Sequence, residues 1–252
     1  MYWASLRRGQ LAEFDRKTPV VLPVAAVEQH GEHLPLATDC LINEAICRGL
    51  DEALGDRLLI LPAQTVGCSE HHMALPGSLT LTHETFRRAV CDVAESVVRH
   101  GFQRLLVLNS HGGNQAIDGV IGEQLGQRFP RVEFLVANWW TVAAKRLAPL
   151  QQGPFGSVGH ACEFETSLLL VIAPELVDMS RAEDGGIQHR SLPMHFDMLH
   201  GPAASCYRPF DQLSHNGVYG RPTLASAEKG REVLRACVAS LTDLINDFWP
   251  IP

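Results

Sequence analysis

The chain has 252 residues, 46% of them hydrophobic, which is enough to bury the core of one α/β domain over residues 1–252. Its formal charge of −7 and the absence of a Lys/Arg cluster argue against a nucleic acid or a membrane surface as the main partner and favour a small-molecule substrate. No run reaches the roughly 18 apolar residues of a membrane span, and seven scattered cysteines without a C-x-x-C pair predict reduced thiols in a cytoplasmic protein.

An apolar, β-branched run from Val20 to Val27 leads into a group of metal-binding side chains. The run predicts a strand buried on both faces, in the middle of a sheet. Glu28 and His30 follow at a spacing of two, so an extended chain projects both to the same side. Asp39 lies at the start of the next amphipathic helix. Asp39 alone would more often be a helix N-cap, and a lone histidine a core or surface residue. The grouping favours a divalent cation as their shared partner.

A second strand and a loop follow the first helix. The strand is predicted over Arg57 to Thr65, and Pro62 indicates that it lies at a sheet edge or ends early. The loop after it is rich in glycine and proline, and functional groups concentrate on such loops. Its candidates for the rim of a site are Ser69, Glu70, His71 and His72. For each of them alone, a solvated connection is an equally good interpretation.

The third predicted strand, Gln103 to Leu108, runs directly into a second site signal, NSHGGN, which contains His111 and Gly112. His111 therefore lies beyond the carboxyl end of a buried strand, the edge of an open α/β sheet that holds the ligand crevice. A fourth strand is predicted over residues 132–137. Trp140 follows it and either walls an apolar pocket or fills the core.

The third site signal is the segment HACEFETS, which begins at His160 and leads into a helix. The stretch before it, from Gly153 to Gly159, is predicted to be a loop. Glu165 falls within the first two turns of the helix, where a carboxylate also simply favours the helix dipole. Residues 175–225 are interpreted as loops and short strands that close over the site, and residues 226–248 as a last amphipathic helix.

Three strand-loop junctions thus converge on carboxylates and imidazoles. Their candidate metal ligands and catalytic groups are Glu28, His30, Asp39, His111, His160 and Glu165. Mixed histidine and carboxylate ligands suit Zn, Mn or Fe better than Mg or Ca. A carboxylate such as Asp39 can bridge two cations about 3.5 to 4 Å apart, and such a pair generates a hydroxide nucleophile at neutral pH. The sequence therefore predicts two divalent metal ions and a hydrolytic reaction.

The motifs LPVAAVEQHGEHLPLATD, NSHGGN and HACEFETS resemble, in order and spacing, those of the creatininase (creatinine amidohydrolase) family. The resemblance covers roughly residues 18–175 and, more loosely, the segment from Gly217 to Pro222. It implies a three-layer α/β/α sandwich with a mostly parallel central sheet, a dinuclear metal site and a homo-oligomer, often a ring-shaped hexamer.

The resemblance also implies roles for individual residues. Glu28 and His111 would bind one metal ion and His30 the other, with Asp39 as the bridge. His160 would be the general acid/base that delivers a proton to the leaving nitrogen.

The chain departs from the family pattern at two places. Creatininases show Tyr-Glu, with the Glu a metal ligand, where this chain has Gly112 and Gly113. Glu165 or a water is therefore expected to complete the second metal site, and Glu165 is also counted among the catalytic residues. Creatininases show a Trp-Asp pair where Gly156 and Ser157 stand here, which argues against creatinine as the substrate.

We therefore predict a metal-dependent amidohydrolase that cleaves a non-peptide or cyclic C–N bond, an amide or a formamide, of a small molecule. The candidate substrate contacts are Ser69, Gly112 and Trp140. Family relatives with the Gly-Gly version resemble formamide hydrolases, which need a closed pocket with aromatic walls, or peptidases that mature a peptide-derived cofactor, which need an open groove.

A peptidase is thus the enzymatic alternative. The alternative from another class is a metal-binding subunit without catalysis. The presence of both His111 and His160 argues against it, because a purely structural metal site needs no separate proton donor.

Overall fold

The centre of the fold is a four-stranded parallel sheet, and the computed structural model describes residues 1–186, 197–201 and 204–250. The strands are β1 Val20–Val24, β2 Leu59–Ile60, β3 Arg104–Asn109 and β4 Glu133–Asn138. Their spatial order is β2-β1-β3-β4. Strand β1 pairs with β3 up to Val24 and Asn109, so the carboxyl ends of these strands are level. The segments that follow them therefore leave the sheet side by side.

Seven α-helices lie within the described ranges. They are α1 Arg8–Glu13, α2 Thr38–Leu54, α3 His83–Arg99, α4 Gln115–Arg128, α5 Trp139–Leu147, α6 Glu163–Ile172 and α7 Ala227–Phe248. Helices α2, α5, α6 and α7 share one apolar core with Val21 and Leu106 of the sheet. Helices α3 and α4 share the other core with Leu22 and Val107. Because successive strand residues point to opposite faces, the continuous apolar runs of β1 and β3 supply both cores. The predicted three-layer α/β/α sandwich is confirmed.

Strand β2 is shorter than the predicted range but lies at the edge and ends early, as Pro62 indicated, whereas the start of α5 was not predicted. Strand β2 has only two residues, both paired with β1 at the sheet edge. Pro62 has no amide proton to continue the pairing, which is why the strand ends early. Trp139 is the first residue of α5, so the tryptophan pair opens a helix directly after β4 without a connecting loop.

A small second sheet holds His160. It consists of β5, Val158–His160, and β6, Tyr219–Gly220, which run antiparallel. The stretch predicted as a loop up to Gly159 thus ends in a strand, because its pairing partner lies far along the chain where no local pattern reveals it. The next residue, Ala161, has a φ of 51°, a conformation that residues with a Cβ rarely adopt. It turns the chain from β5 towards α6.

All seven cysteines are free thiols. Among the described residues, no helix combines the length and apolar character needed to cross a membrane.

Candidate metal centre

Asp39 is at the centre of a buried cluster of carboxylates and imidazoles. It lies in the first turn of α2, with 2% of its surface exposed. Its Oδ1 is 3.2 Å from His30 Nε2, and its Oδ2 is 3.1 Å from His111 Nδ1. One carboxylate thus faces two imidazoles with two different oxygens, the arrangement of a ligand that bridges two cations.

Glu28 and Glu165 extend the cluster on its two sides. Glu28 Oε1 is 3.2 Å from His111 Nδ1, and Glu165 Oε1 is 4.0 Å from His30 Nε2. Ligand atoms of Glu28, His30 and Asp39 all lie within 4.8 Å of one another. The structure therefore brings together all five residues that the sequence predicted as metal ligands.

Backbone carbonyls orient the two histidines of this cluster. His30 Nδ1 is 3.1 Å from the carbonyl oxygen of Glu28, and His111 Nε2 is 3.2 Å from the carbonyl oxygen of Cys68. Because a carbonyl only accepts, each ring holds a proton on that nitrogen and turns its other nitrogen towards Asp39. Metal-binding histidines are commonly oriented in this way.

Three buried atoms of the cluster form no aligned hydrogen bond among the described residues, although two of them lie within 3.2 Å of an oppositely charged group. They are Glu28 Oε2, His30 Nε2 and Asp39 Oδ2. An unsatisfied buried polar atom costs about 1–3 kcal/mol, so their convergence indicates a partner that the described side chains do not supply. Carboxylate oxygens together with imidazole nitrogens form the donor set of Zn, Mn or Fe. The residues present therefore fit a divalent metal.

The charges of the cluster favour proton uptake when no cation is bound. Burial would lower the pKa of His30, but Asp39 and then Glu165 raise it to about 9. Burial raises the pKa of Glu165 to about 7 against the opposing charge of His30. Burial would likewise raise the pKa of Glu28, but the charge of His111 holds it well below its usual value. Metal binding is therefore expected to release protons.

His160 lies at the edge of the cluster. Its Nε2 donates to the backbone carbonyl of Gln29 at 2.8 Å, and its Nδ1 is 3.6 Å from Glu28 Oε1. Burial, followed by the charge of His30, lowers the pKa of His160 to about 3. The ring is therefore neutral and presents the Nδ1 lone pair to the cluster, as a proton acceptor does.

The structure adds two histidines and a glutamine that the sequence did not assign to the cluster. His72 is buried, with its Nε2 3.4 Å from Glu28 Oε1, and His71 stacks on His111 at 5.8 Å between ring centroids. Gln29 Nε2 is 2.8 Å from His72 Nδ1. The adjacent histidines in a loop were a signal for a site rim, but no local pattern showed that this loop folds inward.

Gly113 lies where the resemblance to creatininases leads us to expect a metal-binding glutamate. A Cβ at this position would be 2.2 Å from the carbonyl oxygen of Cys68, 2.4 Å from His111 Nε2 and 2.7 Å from His71. No side chain fits there in this backbone arrangement. Besides Asp39 and Glu28, the buried Glu165 is a further carboxylate near His30.

A cavity of about 800 Å³ opens beside the cluster. Trp140 and Gly112, two of the predicted substrate contacts, line it, together with Tyr207 and Phe210. Tyr207 is 68% exposed, so the cavity communicates with solvent. Ser69, the third predicted contact, is fully buried, and its Oγ is 3.3 Å from His111 Nε2. Ser69 is not among the residues that line the cavity.

Gly156 and Ser157, at the positions where the resemblance leads us to expect a Trp-Asp pair, are hydrogen-bonded to other parts of the fold. The Gly156 amide donates to Asp197 Oδ2 at 2.8 Å, and Ser157 Oγ donates to Glu163 Oε1 at 3.0 Å. Neither residue lines the cavity. The cavity therefore has no aromatic wall from this loop.

Comparisons with known proteins agree with this geometry. The family described as creatinine amidohydrolase (creatininase) matches residues 4–245. The chain is 28% identical to a creatinine amidohydrolase of Pseudomonas putida, over 92% of this chain and 90% of the relative. It is 30% identical to a mycofactocin precursor peptide peptidase of Mycobacterium ulcerans, over 92% of this chain and 86% of the relative. A solved structure described as creatininase with Mn superposes with a TM-score of 0.81 at 25% identity, covering 99% of both chains.

Proposed function

Because the chain belongs to the creatininase family, we propose that it is a metal-dependent hydrolase that cleaves the C–N bond of an amide or formamide in a small molecule. The observation that carries the proposal is the position of Asp39, whose Oδ1 faces His30 while its Oδ2 faces His111. The Mn in a related structure supports a divalent cation in this cluster.

We assign the cluster residues to two cation positions. Glu28, His111 and Asp39 Oδ2 would hold one cation, and His30, Glu165 and Asp39 Oδ1 the other. When bound, such a pair supplies a water of lowered pKa and polarises the carbonyl of a substrate. Cations held by these residues would give Glu28 Oε2, His30 Nε2 and Asp39 Oδ2 a partner that the described side chains do not supply.

His160 would move the proton. Its Nε2 is engaged by the carbonyl of Gln29, so Nδ1 is the atom that accepts a proton and returns it to the leaving nitrogen. Burial and the charge of His30 keep the free ring neutral, so Nδ1 is available to accept a proton. Gly112 and Trp140 would contact the substrate from the cavity wall.

The test combines metal analysis with a substrate screen. The purified protein is loaded with Zn, Mn or Fe, its metal content is measured, and lactams, formamides and short peptides are offered. We expect hydrolysis of a member of one class by the native protein and its loss in Asp39→Ala. Asp51→Ala, at the other end of the same helix, is the matched control and keeps the activity. If no C–N bond is cleaved by any metal-loaded form, the proposal is wrong.

A peptidase is the second candidate, and the size of the cavity favours it. The cavity volume of about 800 Å³ lies near the upper end of small-molecule sites. Tyr207 in the cavity wall is largely exposed to solvent, so the cavity is open on that side and could admit a peptide end. A relative with 30% identity is described as a peptide peptidase. Cleavage that improves as a peptide is lengthened from two to five residues would select the peptidase, and faster cleavage of formamides would select the amidohydrolase.

We further propose a homo-oligomer, a hexamer by analogy with the family. Sedimentation velocity at micromolar concentration tests the assembly, and a monomer at all concentrations would contradict it. The cytoplasmic location and the single domain over residues 1–252 stay predictions.

A further inference from the structure

Gln29 is a buried residue of the first motif to which the proposed function gives no role. It lies between Glu28 and His30 in the chain and is 6% exposed. Its carboxamide contacts His72 and the backbone of Gly217. It therefore joins the histidine loop to the segment that carries β6.

The orientation of this carboxamide is fixed by two backbone groups. Its Oε1 accepts from the amide of Gly31 at 3.0 Å, and its Nε2 donates to the carbonyl of Gly217 at 3.1 Å. An amide and a carbonyl cannot exchange roles, so the NH₂ end must be the one that faces His72. Gly217 permits this close approach, because a Cβ there would be 2.1 Å from Gln29 Oε1.

This orientation determines where the proton of His72 resides. Gln29 Nε2 lies 2.8 Å from His72 Nδ1 and can only donate, so His72 Nδ1 must be unprotonated. The neutral ring then carries its proton on Nε2, which faces Glu28 Oε1 at 3.4 Å. His72 therefore offers Glu28 a donor, and it offers a cation no lone pair on that side.

The contact with His160 is consistent with the same arrangement. Gln29 Nε2 approaches His160 Nε2 to 3.1 Å, but His160 Nε2 is also 2.8 Å from the backbone oxygen of Gln29. If His160 Nε2 accepted from the carboxamide, its lone pair would face the lone pairs of that oxygen. The proton is therefore on His160 Nε2, and the hydrogens of the carboxamide serve His72 and Gly217.

We propose that Gln29 is a positioning residue that decides which histidines of the cluster can bind a cation. By donating to His72 Nδ1, it keeps the proton of His72 on Nε2, the nitrogen that faces Glu28, and removes His72 from the ligand set. Glu28, His72 and His160 have ligand atoms within 4.8 Å of one another, yet on this basis they form no third cation position. The inference rests on the proposed function for the identity of the ligands, and its own readout is the position of a proton.

Histidine tautomers in the zinc-loaded protein give a direct test, because zinc is diamagnetic. Long-range ¹H–¹⁵N correlation spectra of the ¹⁵N-labelled full chain distinguish protonated from unprotonated ring nitrogens, and the loss of one ring signal in His72→Gln assigns His72. We expect His72 to carry its proton on Nε2, both with zinc and after zinc removal. A proton on Nδ1 of His72, or loss of the proton from its Nε2 on zinc binding, would overturn the proposal.

Substitutions of Gln29 test whether this residue determines the tautomer of His72. In Gln29→Glu the added oxygen accepts from His72, so the proton should move to Nδ1, whereas Gln29→Met should populate both tautomers. Loss of an outer partner of a metal ligand typically weakens metal binding or activity by about 10- to 100-fold. Because Gln29 acts on the ligand Glu28 only through His72, we expect a loss at the lower end of that range in Gln29→Met. Gln64→Met is the matched control, because the Gln64 side chain donates to the carbonyl of Val66, away from the histidines of the cluster. An unchanged His72 tautomer in both Gln29 variants would contradict the proposal.

Metal stoichiometry separates this inference from the proposed function. His72→Gln should keep the full metal content, whereas His30→Gln should lose part of it. Loss of a metal equivalent in His72→Gln would overturn the inference even in an active hydrolase. Absence of any hydrolysis, with the expected tautomers and stoichiometries, would refute the proposed function and leave the role of Gln29 intact.

Discussion

The role proposed for His160 is proton transfer, so it can be tested only by measuring catalysis. Its Nδ1 faces the cluster, but its assigned task is proton transfer and not metal binding. We expect His160→Gln to lower kcat by about 10²- to 10⁴-fold, the usual contribution of a general acid/base, with KM and metal content nearly unchanged. Steady-state kinetics and metal analysis measure both.

The control for this variant is His100→Gln, at the C-terminal end of α3 and outside the cavity, which should keep kcat within about twofold. Loss of metal in His160→Gln would make His160 a ligand and not the proton donor.

Gly113 and Gly112 are adjacent but differ in the space around them. A Cβ at Gly113 would meet Cys68 O and His111 Nε2 at under 2.5 Å, whereas nothing lies within 4 Å of a Cβ at Gly112. Gly113→Ala should therefore lower the free energy of unfolding by about 1–3 kcal/mol, the usual cost of overpacking, and Gly112→Ala by less than about 0.5 kcal/mol. Denaturant unfolding of both variants measures the difference, and equal stabilities would contradict the geometry at Gly113.

Some of the site residues could be predicted from the sequence, and others could not. Glu28, His30 and Asp39 follow one apolar run within a few positions, so their chemistry and the strand before them could be read together. His72 and Gln29 could not be assigned, because their roles depend on contacts across the fold. The choice between Glu165 and water was left open by the sequence, and the 4.0 Å distance from Glu165 to His30 supports Glu165.

A buried ion pair connects the helices that carry and flank the third motif. Lys229 of α7 bonds Glu163 of α6 and also donates to the carbonyl of Leu224 at 2.8 Å. Glu163 in turn accepts from the amide of Gly153 at 3.0 Å and from Ser157. The loop that precedes His160 is therefore anchored to both helices through one carboxylate.

Removal of one partner should leave a buried, uncompensated charge. We expect Lys229→Met to lower the free energy of unfolding by about 3–5 kcal/mol, and the double variant with Glu163→Gln to recover part of that loss. Lys145→Met, at an exposed position of α5, is the matched control and should change stability by less than about 0.5 kcal/mol. Urea unfolding of the metal-loaded proteins measures these changes in the free energy of unfolding. A double variant no more stable than Lys229→Met would contradict the pairing.

Strands were predictable where a run of apolar residues lies between two turns. Residues 103–108 and 132–137 were predicted as strands within one residue of β3 and β4, because both are apolar runs between turns. Strand β5 was missed because three residues with a central glycine carry no pattern, and their partner β6 comes much later in the chain. The start of α5 was missed because Trp139 follows β4 without a turn residue.

The stability of the whole protein should depend on bound metal, and more strongly at high pH. In the metal-free fold, burial would lower the pKa of His30, but Asp39 raises it from 6.5 to about 9. Burial raises the pKa of Glu165 from 4.5 to about 7. A raised pKa stabilises the fold below the unfolded value, and this stabilisation is lost as pH rises through the folded value. The metal-free protein should therefore lose stability between about pH 5 and pH 9.

Cations compete with those protons, so the gain in Tm on metal loading should grow over the same range. Thermal unfolding of metal-free and Mn-loaded protein at pH 6, 7, 8 and 9 measures the gap. A gap that is constant, or that narrows as pH rises, would show that His30 and Glu165 do not hold the cation.

Anomalous diffraction from crystals of the metal-loaded protein, measured at the absorption edge of the loaded metal, tests the bridging role of Asp39 most directly. We predict two peaks about 3.5–4 Å apart, one among Glu28, His111 and Asp39 Oδ2 and the other among His30, Glu165 and Asp39 Oδ1. A single peak that Asp39 does not contact, or no peak among these residues, would contradict it.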